Sequence, residues 1–230
     1  WGLWFHDLRR CMSGGLPSDR WGRFLASVTL FILVITLILA VLPPTKWDVL
    51  TYHLAGAEQY VEQGRFYAVA HNHFLGFPQL VDTLFAGQLA LTGQLTGPAV
   101  LHWAVGVLLF MAVGGYTARH ADALAGWMAV ATLLTAKSLW LEMTFSYVDV
   151  MPVGLMVIAL AVLEQWHTTR HSEAATSTSR NLSWRYLLLI GMLTGFGMGV
   201  KYSVLWFAVA FGLAIIWLGR RDGFRSWLKY

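Results

Sequence analysis

The chain has 230 residues, of which 57% are hydrophobic and 12% are charged, with a formal net charge of +4. A soluble domain carries about 25% charged residues, so the composition excludes an ordinary water-soluble enzyme and predicts a polytopic membrane protein. The charge forms no separate basic stripe, which argues against nucleic acid as a partner, and a single cysteine, Cys11, excludes an internal disulfide.

Six apolar runs of membrane-spanning length follow one another, which predicts an all-α polytopic fold. The predicted transmembrane helices lie at about 22–43, 98–117, 121–141, 148–167, 184–200 and 202–219. With these six spans, twelve of the 16 lysines and arginines lie on the same side of the membrane as the N-terminus. Because cytoplasmic loops are enriched in these residues, segments 1–21 and 221–230 are predicted to be cytoplasmic and to flank a transmembrane domain over 22–220.

The two ends of the chain carry expectations of their own. Residues 1–20 lack the apolar run of a cleavable signal peptide. The chain starts at Trp1 and stops at Tyr230, soon after a predicted span. We therefore expect it to be a fragment of a longer protein.

The first loop outside the membrane is long, over residues 44–97, and too apolar for a disordered linker. Apolar residues repeat in it at helical spacing: Leu50, Leu54, Ala57 and Val61. This pattern predicts an amphipathic helix with Asp48 as its N-cap and Gly64 at its end. A second helix is predicted to open near Pro78 and to end before Gly93. Both helices are expected to lie in the membrane interface.

A polar segment of low complexity covers residues 168–183 and is rich in serine and threonine. Such a composition buries too little apolar surface to fold by itself. It predicts a mobile cytoplasmic loop.

Counting spans places ionisable side chains together at the outside ends of several helices. Asp48 follows the first span, Asp149 precedes the fourth, and Lys201 lies between the fifth and sixth. Ionisable residues at such places are costly near lipid and indicate a functional site. Each also has a structural explanation, since the two aspartates could cap helices and the lysine could reach the interface.

Four histidines raise the question of a metal or pigment. His53, His71 and His73 lie in the first loop, where solvated histidines are commoner than metal ligands. His102 lies within the second span and could ligate a porphyrin-type pigment. A histidine in that place more often makes a hydrogen bond between helices.

Five short segments, taken in order, resemble the membrane-embedded glycosyltransferases of the GT-C fold. The bacterial branch similar to protein mannosyltransferases and aminoarabinose transferases is nearest. The segments are Trp47-Asp48-Val49-Leu50-Thr51-Tyr52-His53-Leu54, Tyr60-Val61-Glu62-Gln63-Gly64-Arg65, Asn72 with Phe77-Pro78-Gln79-Leu80, Tyr147-Val148-Asp149-Val150 and Gly199-Val200-Lys201-Tyr202-Ser203. The resemblance covers about residues 22–220, the N-terminal half of such enzymes. One acid followed by Val49 replaces the usual acidic pair, and the proline often found ahead of the second acidic turn is missing.

This resemblance implies inverting transfer of a sugar from a polyprenyl-phosphate donor at the extracytoplasmic face of a bacterial inner membrane. Asp48 would be the base that takes the proton of the acceptor hydroxyl. Lys201, with Arg65 next, would offset the negative charge of the leaving phosphate. Asp149 would orient the acceptor or hold Mg²⁺ or Mn²⁺ together with Asp48.

Three further residues complete the implied site. Tyr52 and His53 would shape it or hydrogen-bond the donor. Tyr202 would contribute to donor binding beside Lys201. The implied partners are the lipid-linked sugar, membrane lipids and a membrane-protein partner.

Two other classes of function remain open. A non-catalytic subunit or scaffold of a photosynthetic or respiratory complex would use His102 or aromatic faces for contacts with pigment or lipid. A transporter of a lipid-linked substrate ranks third, because transporters favour charges near the middle of the membrane. An enzyme requires that Asp48, Asp149 and Lys201 converge on one cavity open to lipid, whereas a scaffold does not.

Overall fold

The computed structural model describes residues 19–67, 70–171 and 177–219, with the backbone alone over 171 and 177–182. The predicted cytoplasmic segments therefore lie almost wholly outside the described residues. Within those ranges the chain forms no strand, and its α-helices are α1 Arg20–Ala40, α2 Leu54–Gln63, α3 Leu80–Thr92, α4 Gly97–His120, α5 Ala123–Thr135, α6 Lys137–Glu142, α7 Val150–His171, α8 Ser177–Val200 and α9 Leu205–Gly219. The protein is an all-α membrane protein, as predicted.

Four of the described helices are long and apolar enough to cross a membrane: Arg20–Ala40, Gly97–His120, Val150–Arg170 and Tyr202–Gly219. They correspond to the first, second, fourth and sixth predicted spans. Only 22% of the first is buried by the protein, so its large exposed side chains are available to lipid. Asp19 is the N-cap of this helix, because its Oδ1 accepts a hydrogen bond from the Gly22 amide at 2.8 Å.

The third and fifth predicted spans differ from the structure. The third is divided into α5 and α6 by Ala136, whose backbone is extended (φ −75°, ψ 96°). With 13 residues, α5 is about 20 Å long, less than the roughly 30 Å hydrocarbon core. The fifth predicted span lies in α8, where Arg185 and several glycines lower the hydropathy. Among the described helices, α8 is not one of those that are apolar enough to span a membrane.

The predicted mobile loop at 168–183 is wrong in most of its length. Residues 168–171 continue α7, and residues 177–183 already belong to α8. Residues 172–176 lie outside the described part of the chain. Helical hydrogen bonding and the contact of Trp166 Nε1 with Ser183 Oγ at 2.9 Å outweigh the polar composition.

The chain divides into two compact units after Gly154. In the first unit, α2 packs on α3, α4 packs on α5, and α1 contacts both α4 and α5. In the second unit, α7, α8 and α9 enclose an apolar core around the fully buried Trp166. The candidate site described next lies wholly in the first unit.

Candidate functional site

The segment that follows α1 leads into α2 through an irregular turn. A linker without regular secondary structure reaches Lys46, and Val49–His53 then form a single π-helical turn that continues into α2. Asp48 has helical backbone angles (φ −59°, ψ −43°) and makes no side-chain cap hydrogen bond, so the predicted N-cap role is wrong. Its half-buried carboxylate remains available for another purpose. Turns of this type are frequent at functional sites because they change which side chains share a face.

Two buried side chains join the π turn to α3. His53 Nδ1 lies 2.6 Å from Asp82 Oδ1, and the two residues are only 5% and 2% exposed. An ionised carboxylate can only accept a hydrogen bond, so His53 donates it from Nδ1–H. The pair is a short and buried polar contact between two segments that are 29 residues apart in the chain.

The Tyr52 ring is held by aromatic neighbours from a separate segment. It stacks on Phe74 with ring centroids 4.9 Å apart and lies 4.2 Å from the His53 ring. Asn72 fixes this segment, because its Nδ2 donates to the Thr51 carbonyl at 3.0 Å and its Oδ1 accepts from the Phe74 amide at 3.2 Å. The Asn72 side chain thus links the loop directly to the π turn.

A tight turn between α6 and α7 brings Tyr147 and Asp149 to the site that also holds Tyr52 and His53. His102, buried within α4, donates from Nδ1 to the carbonyls of Glu142 at 3.0 Å and Phe145 at 2.9 Å. This is the structural role expected of a histidine in a span. The Tyr147 ring then lies edge-on to His53, with centroids 6.1 Å apart.

The two tyrosines report the electrostatics of the site. Burial, followed by the nearby charges of Asp48 and Asp149, raises the pKa of Tyr52 to about 12. Burial is also the main reason that the pKa of Tyr147 is raised, again with contributions from Asp48 and Asp149. Both predicted acids therefore act on both phenols, which stay neutral and able to donate hydrogen bonds near pH 7.

The structure brings some predicted site residues together and leaves others apart. Asp48, Asp149, Tyr52 and His53 share one site. Arg65 follows the C-terminal end of α2, about 15 Å along the helix from His53, with its guanidinium 5.9 Å from the Tyr67 ring.

Lys201 and Tyr202 belong to the second compact unit and are both exposed. Lys201 lies between α8 and a short 3₁₀ turn, and its amide donates to the Gly197 carbonyl at 2.9 Å. Their convergence with Asp48 stays a prediction.

Asp82 is the site residue that the sequence analysis missed. It is the sole charged residue of α3 and lies on the helix face that buries Val81 and Phe85. A lone acid on the apolar face of a helix was the available signal, because such a group needs a buried partner.

The predicted metal site has few protein ligands among the described residues. Within the described residues, no three side chains of His, Cys, Asp or Glu are grouped to hold an ion. Asp48 and Asp149 supply two carboxylates, and Mg²⁺ held by two carboxylates completes its coordination with water and phosphate oxygens. Binding of Mg²⁺ or Mn²⁺ by Asp48 together with Asp149 stays a prediction.

Comparisons with protein-family models, with curated proteins and with solved structures find no match to this chain.

Proposed function

We propose that the protein is a membrane glycosyltransferase that moves a sugar from a polyprenyl-phosphate donor to an acceptor hydroxyl, with inversion at the sugar carbon. The observation that carries this proposal is the Asp48 carboxylate, which caps no helix and lies half-buried beside Tyr52 and Tyr147. A carboxylate in that setting is suited to general-base work.

The position along the chain supports a lipid-linked substrate. Asp48 follows shortly after the first membrane-spanning helix, which ends at Ala40. A sugar on a lipid carrier has its reactive carbon at the membrane surface, so its site must lie at helix ends. We infer that this surface is on the extracytoplasmic side of a bacterial inner membrane, with the N-terminus cytoplasmic. Four arginines precede or begin the first helix (Arg9, Arg10, Arg20 and Arg23), whereas the loop over 44–97 that follows it has only Lys46 and Arg65.

The reaction assigns a role to each group. Asp48 accepts the proton of the acceptor hydroxyl as its oxygen attacks the sugar carbon. The bond from that carbon to the phosphate oxygen breaks, and the electron pair leaves with the lipid phosphate. The neutral phenols of Tyr52 and Tyr147 donate hydrogen bonds to the donor. Asp149 orients the acceptor or, with Asp48, holds Mg²⁺ or Mn²⁺, which would supply positive charge for the phosphate.

Two cationic residues are proposed to assist departure of the phosphate. Lys201 is the first candidate and Arg65 the second, with Tyr202 contributing to donor binding beside Lys201. We expect Lys201→Ala to weaken donor binding. Donor binding unchanged in that variant would remove Lys201 from the site.

The test is release of polyprenyl phosphate from a lipid-linked hexose by the full chain in vesicles containing candidate acceptors. Asp48→Asn should lower turnover by about 10²–10⁴-fold. Asp122→Asn is the matched control, because exposed Asp122 only caps α5, by accepting from the Ala125 amide at 2.8 Å, and asparagine caps equally well. Equal turnover in Asp48→Asn and in the wild type would reject the base assignment. No turnover in the wild type would favour a non-catalytic subunit.

A further inference from the structure

The buried pair of His53 and Asp82 requires an explanation beyond helix packing. The helices that this pair lies between, α2 after the π turn and α3, already bury apolar residues such as Ala57 and Phe85. Replacing a buried ion pair by apolar residues is often neutral or stabilising. Stability alone therefore does not account for a histidine and an aspartate placed 2.6 Å apart in this interface.

His53 is the point at which three separate segments meet. The π turn supplies His53 itself and the adjoining Tyr52 ring. Asp82 comes from α3, and Tyr147 comes from the turn that precedes α7. A rotation of the imidazole would disturb its contacts with all of them.

We propose that His53 and Asp82 form a positioning pair: Asp82 fixes the orientation of the His53 imidazole, and His53 holds the Tyr52 and Tyr147 rings beside Asp48. The pair acts through the tyrosines and does not itself touch the reacting atoms. Its effect on turnover rests on the proposed function, whereas its effect on the two rings does not.

Asp82 is suited to this task for two physical reasons. A carboxylate accepts from Nδ1–H and so fixes both the tautomer and the plane of the imidazole. Asp82 also lies in the first turn of α3, where the helix dipole stabilises negative charge. The hydrogen bond from His53 and the helix dipole thus both stabilise the buried charge of Asp82.

The experiment compares Asp82→Asn with Asp82→Leu in the full chain. Asparagine keeps the shape and an acceptor oxygen for Nδ1–H, whereas leucine keeps only the volume. NMR spectra of ring-labelled tyrosine, with signals assigned by Tyr52→Phe and Tyr147→Phe, report the two rings without any substrate. Both signals should shift in Asp82→Leu and stay near their wild-type positions in Asp82→Asn.

Kinetics give the second measurement, with polyprenyl-phosphate hexose as the probe. Asp82→Leu should lower kcat by about 10–100-fold and change KM little, because misplaced groups act in the transition state. Asp82→Asn should recover most of kcat, and Asp122→Asn should match the wild type.

Unshifted tyrosine signals in folded Asp82→Leu would overturn the positioning role. If Asp82→Leu does not fold, Asp82→Asn is compared with a His53→Phe variant. Tyrosine signals displaced as far in Asp82→Asn as in His53→Phe would also overturn the positioning role. Shifted tyrosine signals in Asp82→Leu, together with a wild-type protein that transfers no sugar, would reject only the proposed function.

Discussion

His53 and Asp82 are 29 residues apart in the chain, and the Nδ1 atom of one lies 2.6 Å from the Oδ1 atom of the other in a buried setting. Removing one partner leaves the other buried without its hydrogen bond. Asp82→Leu and His53→Phe should therefore each lower the free energy of unfolding by about 1–3 kcal/mol.

The double variant of this pair should lose less than the sum of the single losses. We expect a coupling energy of about 1 kcal/mol or more, measured by denaturant unfolding in mixed micelles. Strictly additive losses would show that the two side chains do not stabilise each other.

Tyr52 should ionise at unusually high pH. Burial and the charges of Asp48 and Asp149 raise its pKa from 10.0 to about 12. The fold favours the neutral phenol, so this contribution to stability is present below pH 10 and is lost as the pH rises towards about 12. Tyrosinate absorbance, compared with that of Tyr52→Phe, measures the pKa.

Asp48→Asn should move the Tyr52 pKa back towards its ordinary value, because it removes the first of the nearby negative charges. Asp122→Asn should leave it where it is. The same Tyr52 pKa in Asp48→Asn and in the wild type would contradict the shared site.

Helices α4 and α5 approach closely at a glycine. A Cβ at Gly126 would lie 2.7 Å from the Gly114 carbonyl oxygen and 3.0 Å from Ala118 Cβ, so Gly126→Ala requires the helix backbones to separate. We expect a loss of about 1–3 kcal/mol in thermal unfolding. Gly87→Ala is the control, since its Cβ would meet nothing within 4 Å, and it should be stabilising by about 0.5–1 kcal/mol. Similar losses in both variants would argue against close packing at Gly126.

His102 anchors the turn that carries Tyr147 and Asp149. His102→Leu removes the donor to the carbonyls of Glu142 and Phe145, at a cost of about 1–3 kcal/mol. Asparagine places an amide nitrogen near the position of Nδ1, so His102→Asn should lose less. Limited proteolysis should find the turn more readily cleaved in His102→Leu, and wild-type resistance there would contradict the anchor.

The features set by local chemistry were predictable from the sequence. Gly64 and Gly93 end their helices at φ 62° and 65°, as their positions indicated, and the chain order of the acids already suggested that Asp48 and Asp149 meet. The π turn was not predictable, because nothing in Val49–His53 distinguishes it from an α-helical turn.

Other features depend on contacts distant in sequence. The partnership of Asp82 with His53 arises only when α3 packs on α2. The structure also shows that the extended backbone of Ala136 interrupts an apolar run that hydropathy alone treats as one span. These features needed the tertiary structure.

Photo-crosslinking tests most directly whether a lipid-linked sugar binds beside Asp48. The probe is a polyprenyl-phosphate hexose with a photoreactive group on the sugar, added to the full chain in vesicles. We predict labelling of the peptides that contain Tyr52 or Tyr147, suppressed by unmodified donor. Labelling that the donor does not suppress, or that it suppresses only at other segments, would contradict the proposed site.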